Sequence, residues 1–196
     1  REEGRGRFVV GGEESYGYTL SDFARDKDAN AAVAAFAEVV AYARSRGMTA
    51  MEYLDEIFAT LGVYLERGES LVFEGAEGAG QIAKLAASYV GKPPDEMDGA
   101  AVVKMENFAV DTIHDTEGER IPAEGMIIFT LADGRRCAVR PSGTEPKIKY
   151  YIFGLEKPPG RKMTAEEVAA ARGRVQASVD RLWDWLHADA LRRGAA

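Results

Sequence analysis

The 196-residue chain is poor in the side chains that build covalent or metal frameworks, with one cysteine, Cys137, and two histidines, His114 and His187. A single thiol excludes an internal disulfide framework and fits a reducing compartment. Its neighbours Ala138 and Val139 suit a packing role rather than a reactive one. The histidines lie far apart with no cysteine beside either, so a zinc site has no spacing to build on, and both are expected at the surface. No apolar run approaches the length of a membrane span, and no signal-peptide pattern opens the chain. Instead Arg1 to Arg7 are charged or glycine and lead straight into a β-like run, as the middle of a longer polypeptide would. Positive charge is in deficit too. A net charge of −7 excludes a general nucleic-acid binder, which needs a basic face to neutralise phosphates. These absences together predict a cytoplasmic protein with neither a nucleic-acid nor a membrane partner.

What charge there is falls unevenly. The stretch from Asp133 to Lys162 carries +5, which leaves −12 on the remainder. A local basic patch on an acidic chain suits a small anionic ligand better than a polymer. The other reading is a solvated strand edge protected by charge.

Periodicity predicts the elements. Phe8 to Val10 reads as a strand that stops at Gly11-Gly12. A helix follows over about Ala29 to Arg46, with Val33, Phe36, Val40 and Ala43 on one face. Thr49 and Glu52 form a capping box for a second helix, whose apolar face is Met51, Leu54, Phe58 and Leu61. Val63 to Phe73 reads as extended, and a third helix covers about Gly78 to Val90. Gly78-x-Gly80 at its start fits close packing better than an anion site. Lys92 to Gly99, with paired prolines and three acids, is the best linker candidate. Beyond it, four strands are predicted: Ala100 to Met105, Met126 to Leu131, Arg136 to Arg140 and Lys147 to Phe153. Asp133-Gly134 makes the tight hairpin between the second and third. A long helix capped by Thr164 and Glu167 closes the chain, with Val168, Ala171, Val175, Val179, Leu182 and Leu186 as its stripe. Trp183 and Trp185 cannot share a helical face, so one is expected in the core and the other at a contact surface. Strands followed by a packed helix predict a two-layer α+β domain with an antiparallel sheet.

Three segments could carry chemistry. Gly11-Gly12-Glu13-Glu14-Ser15-Tyr16-Gly17 places two carboxylates and a hydroxyl on a glycine-flexed turn. Such groups read polyols through charge-assisted hydrogen bonds, although Glu and Ser are also ordinary capping residues. Arg25-Asp26-Lys27-Asp28 precedes the first helix. There Asp28 caps the helix, and Lys27 either joins a surface ion-pair cluster or reaches a phosphoryl or sugar oxygen. Arg140-Pro141-Ser142-Gly143-Thr144-Glu145-Pro146-Lys147 lies between two predicted strands. Its hydroxyls, a glycine that admits close backbone approach and a planar guanidinium fork suit phosphate. A hairpin turn with Arg140 in a structural salt bridge is the alternative.

The ordered set GGEESYG, RDKDA and RPSGTEPK resembles the α-D-phosphohexomutase family (phosphoglucomutase/phosphomannomutase). The resemblance implies that residues 1–91 are the end of an α/β sugar-binding third domain. It makes 92–98 a linker and 99–196 the fourth, phosphate-binding domain. It implies that Glu13 and Ser15 bind sugar hydroxyls and that the catalytic Lys27 sits beside the reacting phosphoryl group. Arg140, Ser142, Gly143 and Thr144 would then hold the phosphate that is not reacting. The EES form tilts the sugar toward glucose.

No stretch resembles the family's TASHNP serine loop or its DGDxDR metal loop. The resemblance therefore implies that Mg2+ and the phosphoserine belong to first and second domains upstream of Arg1, and that the chain alone is inactive. The implied reaction interconverts glucose 1-phosphate and glucose 6-phosphate through glucose 1,6-bisphosphate. The alternatives are a non-catalytic phosphosugar-binding module and a mutase for mannose or pentose phosphates.

Overall fold

In a computed structural model, residues 8–12, 17–20, 26–73, 75, 77–114, 118–143 and 145–194 are described. The chain divides into two compact units, Arg1–Phe58 and Ala59–Ala196.

In the first unit, strands β1 (Gly11–Gly12) and β2 (Tyr18–Thr19) pair antiparallel. Helices α1 (Ala29–Ser45) and α2 (Ala50–Leu61) follow, α2 running on into the second unit. Asp28 starts α1, its carboxylate accepting from the Asn30 N–H at 2.8 Å. Gly47, at φ +74°, ends that helix in a conformation other residues resist. The capping box of α2 forms as read. Thr49 N–H donates to the Glu52 carboxylate at 2.7 Å, and Glu52 N–H donates to the Thr49 hydroxyl at 3.2 Å. The apolar stripe expected on α1 is present in sequence but not covered. Val33 is 71% and Phe36 62% exposed, and Ala43 alone is fully buried. On α2, Phe58 is buried while Met51 and Leu61 are exposed. Periodicity identifies such a stripe but does not supply the surface it packs against.

The second unit closes its own core. It begins with β3 (Val63–Val72) and α3 (Gly78–Gly91), followed by β4 (Glu96–Met97) and β5 (Ala100–Asn107). Then come β6 (Ile127–Leu131), β7 (Arg136–Pro141), β8 (Lys147–Glu156) and α4 (Ala165–Gly194). The six strands form one sheet in the order β3-β8-β7-β6-β5-β4, every pairing antiparallel. Helices α3 and α4 pack on the sheet and on each other. The expected mixed α+β architecture, an antiparallel sheet with a long C-terminal helix, is present. The stripe of α4 is buried as read, from Val168 to Leu186. Gly134, at φ +90°, turns the β6–β7 hairpin. Gly78 is held by close packing, because a Cβ there would lie 2.1 Å from the Phe73 carbonyl oxygen, whereas Gly80 faces open space.

The expected boundary at 92–98 is corrected. That segment lies inside the second unit, and the chain divides between Phe58 and Ala59. Met97 is fully buried. Asp98, at φ +45°, receives the buried Arg135 guanidinium at 2.6 Å. Arg135 also binds Asp133 at 2.7 Å and the Ser178 carbonyl at 3.1 Å, tying this turn to the hairpin and to α4. The paired prolines therefore end a helix ahead of a tight turn rather than mark a bare linker. Residues 63–91, read as part of the first domain, belong with the second because β3 pairs along its whole length with β8. The tryptophan expectation also changes, since both Trp183 and Trp185 are half-buried. Trp183 packs edge-on to Tyr150 and stacks on His187.

Close approach of α4 to β8 depends on Gly154. A Cβ there would lie 2.6 Å from one Val179 methyl carbon and 3.0 Å from one of Val175. Gly154→Ala is expected to destabilise the second unit by about 1–3 kcal/mol through overpacking, read by urea unfolding. Unchanged stability would mean that the helix is not seated there. Burial pushes the Cys137 thiol up to about 12. The native protein at pH 8 is therefore expected to resist a thiol-specific disulfide reagent and to react only on unfolding. Fast labelling of folded protein would contradict this placement.

Candidate functional site

Two of the three motifs fall on the first unit. Gly11 pairs with Thr19 and Gly12 with Tyr18, so the GGEESYG motif begins in β1 and ends at the residue before β2. A Cβ on Gly12 would come within 3.1 Å of the Tyr18 ring. Glu13 and Ser15 themselves lie outside the described residues. Lys27 is exposed, and its backbone N–H donates to Asp26 Oδ1 at 2.8 Å. Its neighbour Asp28 acts as the helix cap, and the Asp28 N–H donates to the Tyr18 carbonyl at 2.9 Å. That bond ties the start of α1 to β2.

The third motif is the connection from β7 to β8. Arg140 faces Lys149 across the ladder, and Pro141 faces Ile148. Past that point the chain turns back on its own hydrogen bonds. Ser142 N–H donates to the Lys147 carbonyl at 2.9 Å, and Glu145 N–H donates to the Ser142 hydroxyl oxygen at 3.2 Å. The Pro146 carbonyl accepts from the Phe73 N–H at 2.9 Å, which pins the end of the loop to the end of β3. Neither a positive φ nor a packing contact calls for glycine at 143, since a Cβ there would meet nothing within 4 Å. Thr144 lies outside the described residues.

An open groove of about 480 Å³ runs along this loop, lined by Pro141, Ser142, Gly143, Glu145 and Pro146. Its other wall is the first turns of α3, through Ala79, Ile82 and Ala83. No feature of the sequence links α3 to the loop. Their meeting follows from the β3–β8 pairing and from the packing of α3 on β7 and β8.

Each of two loop cations has a carboxylate beside it. Lys147 Nζ lies 2.6 Å from Glu145 Oε2, and that lysine holds the Glu145 carboxyl below its ordinary range. Arg140 Nη2 pairs with Glu124 Oε1 from the segment that leads into β6. The ion pair left open as an alternative role for Arg140 is thus present, with a partner that sequence reading did not identify. Glu124 is far from the motif in sequence and belongs to no recognisable pattern. The structure gathers Arg140, Ser142 and Gly143 on one loop, whereas Lys27 belongs to the other unit. Among the described residues, no group of three or more His, Cys, Asp or Glu could hold a metal ion. No helix there is long and apolar enough to cross a membrane.

Comparison with known proteins adds the following. Residues 1–61 match the family described as phosphoglucomutase/phosphomannomutase, alpha/beta/alpha domain III. Residues 83–171 match the phosphoglucomutase/phosphomannomutase C-terminal domain. The stretch between these matches holds β3 and the start of α3, both in the second compact unit. A phosphoglucomutase of Staphylococcus haemolyticus is 36% identical over 152 residues, covering 74% of this chain and 27% of that protein. One of Staphylococcus aureus is 33% identical over 144 residues, covering 71% of this chain and 26% of its own. The chain thus spans about a quarter of the length of the curated relatives it matches. Among solved structures, an exocytosis-sensitive phosphoprotein of Paramecium (pp63/parafusin, a phosphoglucomutase, in its open form) shares the fold. Its TM-score is 0.51 at 19% identity, covering 87% of this chain and 30% of the other.

Proposed function

The chain belongs to the phosphoglucomutase/phosphomannomutase family, and from that premise we propose that it is the C-terminal part of a phosphoglucomutase. The whole enzyme interconverts glucose 1-phosphate and glucose 6-phosphate through a phosphoserine and glucose 1,6-bisphosphate. The observation that carries this reading is the β7–β8 connection, where Ser142 and Gly143 border an open groove and Arg140 stands just before them at the end of β7, within the most basic stretch of an acidic chain. A glycine at 143 with no internal reason to be glycine supports close approach from outside. The name shared by the Staphylococcus relatives supports glucose as the sugar.

In this mechanism the chain binds and orients. The Arg140 fork and the Ser142 and Thr144 hydroxyls hold the phosphate that is not reacting, while Glu13 and Ser15 accept or donate at sugar hydroxyls. Lys27 places a cation beside the transferring phosphoryl group. A substrate that must react in two orientations needs its phosphate held away from the transfer site, because the same holding groups serve both ends. Mg2+ would supply electrostatic stabilisation of phosphoryl transfer. The described residues offer no carboxylate cluster that fits it, so no step is assigned to it here. We place the serine and metal loops in preceding domains of a longer, cytoplasmic protein, and the missing part of the alpha/beta/alpha domain on the exposed stripe of α1.

Two experiments bear on this reading. In the full-length enzyme, Arg140→Ala is expected to weaken phosphosugar binding by roughly 2–4 kcal/mol. Arg140→Lys should weaken it less, since it keeps the charge but loses the planar fork. Melting temperatures near the parent's would separate this from a folding defect, and parental affinity in both variants would sink the phosphate-loop assignment. Phe36→Ala should change the stability of this chain by less than about 0.5 kcal/mol, as at other exposed sites. In the full-length protein it should cost about 3–5 kcal/mol if the stripe is covered. Equal effects in the two proteins would contradict the covering.

A further inference from the structure

Resting on the reading of the β7–β8 loop as a phosphate site, we infer that Glu124 is an internal counter-ion of that site. It occupies Arg140 until a phosphate monoester displaces it.

Placement of Glu124 is a matter of sheet register. Ile127 pairs with Val139, so the residues just before β6 come level with Arg140 at the end of β7. Backbone bonds fix the segment there. Glu124 N–H donates to the Phe108 carbonyl at 3.1 Å, and the Glu124 carbonyl accepts from Met126 N–H at 2.8 Å. The carboxylate therefore arrives on a short, doubly tied backbone. Arg140 and Glu124 side chains are 48% and 42% exposed. An ion pair so open to water is held weakly and can exchange. A phosphate monoester carries nearly twice the charge of a carboxylate and presents oxygens that match the guanidinium fork, so it is the stronger ligand for the same donor.

Glu124 is accordingly a positioning residue with two opposed effects. It keeps the Arg140 side chain at the mouth of the loop, and its charge opposes the incoming anion. The second effect prevails, because β7 already carries Arg140 to the loop whether or not the carboxylate is present. At a separation of about 5 Å near a solvated surface, one negative charge alters anion affinity on the order of three- to tenfold.

The test uses this chain, with inorganic phosphate and glucose 1-phosphate as separate probes. Binding is measured by titration calorimetry, and the Arg140 Nε–H resonance by NMR. Glu124→Gln is expected to lower the Kd for both probes about three- to tenfold, with the melting temperature unchanged. The gain should vanish in an Arg140→Ala background. In the absence of phosphate the Arg140 resonance should differ between parent and Glu124→Gln, and at saturating phosphate the two should converge. If Glu124→Gln binds as the parent does or more weakly while Arg140→Ala still loses phosphate, the counter-ion role is wrong and the phosphate loop stands. If Arg140→Ala binds phosphate as tightly as the parent, the phosphate loop itself falls and the role of Glu124 falls with it.

Discussion

Pairing of β8 on both its edges is the constraint on which the second unit depends. Ten residues, Lys147 to Glu156, pair with β3 on one side, and six of them pair with β7 on the other. Alternation along this strand turns Ile148, Tyr150, Ile152 and Gly154 into the buried layer beneath α3 and α4. The same alternation leaves Lys149 and Tyr151 on the opposite face, with Arg140 beside Lys149. A slip of one residue would bury the cations and expose the aromatic core, so the register that stabilises the fold also aims the loop. Gly154 sets how near α4 can come. Helix α4 in turn is joined to α3, as Arg193 bonds the Ser88 and Lys92 carbonyls at 3.0 and 2.9 Å and covers the Tyr89 ring.

What was legible in the sequence was local. Capping boxes at Thr49/Glu52 and Thr164/Glu167, the Asp133-Gly134 turn and the stripe of α4 are each written within a few residues, and each forms. The candidate phosphate loop is likewise a local pattern, since Arg140, Ser142 and Gly143 lie within four residues. What was not legible depends on partners distant in sequence. Nothing within Val63–Val72 announces that it will pair with β8, so a composition shift at Lys92 to Gly99 was read as a boundary. The prolines there serve a turn that Arg135 clamps from another hairpin. Glu124 is a lone acid in a polar loop, and its relation to Arg140 exists only once β6 and β7 are in register.

The two units differ in how far their apolar residues find cover. The second buries residues from both helices and from every strand of its sheet. The first leaves Val33 and Phe36 in water along a helix whose periodicity plainly intends a face. Exposed aliphatic and aromatic side chains in one line are unfavourable unless something covers them. The alpha/beta/alpha description of the matching family calls for a sheet beneath such a helix, and the first unit's described strands are only two residues long. On the proposed reading the stripe of α1 is half of an interface within a single domain.

An acidic protein that binds an anionic ligand faces a general repulsion, which the +5 stretch around the loop opposes only locally. Even there the cations are not idle, since Lys147 rests on Glu145 and Arg140 on Glu124. A loop with its charges already neutralised holds little attraction for a diffuse anion. On the proposed reading it discriminates by geometry, because the incoming group must outcompete carboxylates that the fold has placed at contact distance. A phosphate monoester meets that demand through its second charge and its tetrahedral oxygens, where chloride or a lone carboxylate does not. Selectivity of this kind sacrifices some affinity, a workable balance if, as proposed, the site releases and rebinds its phosphate while the sugar reorients.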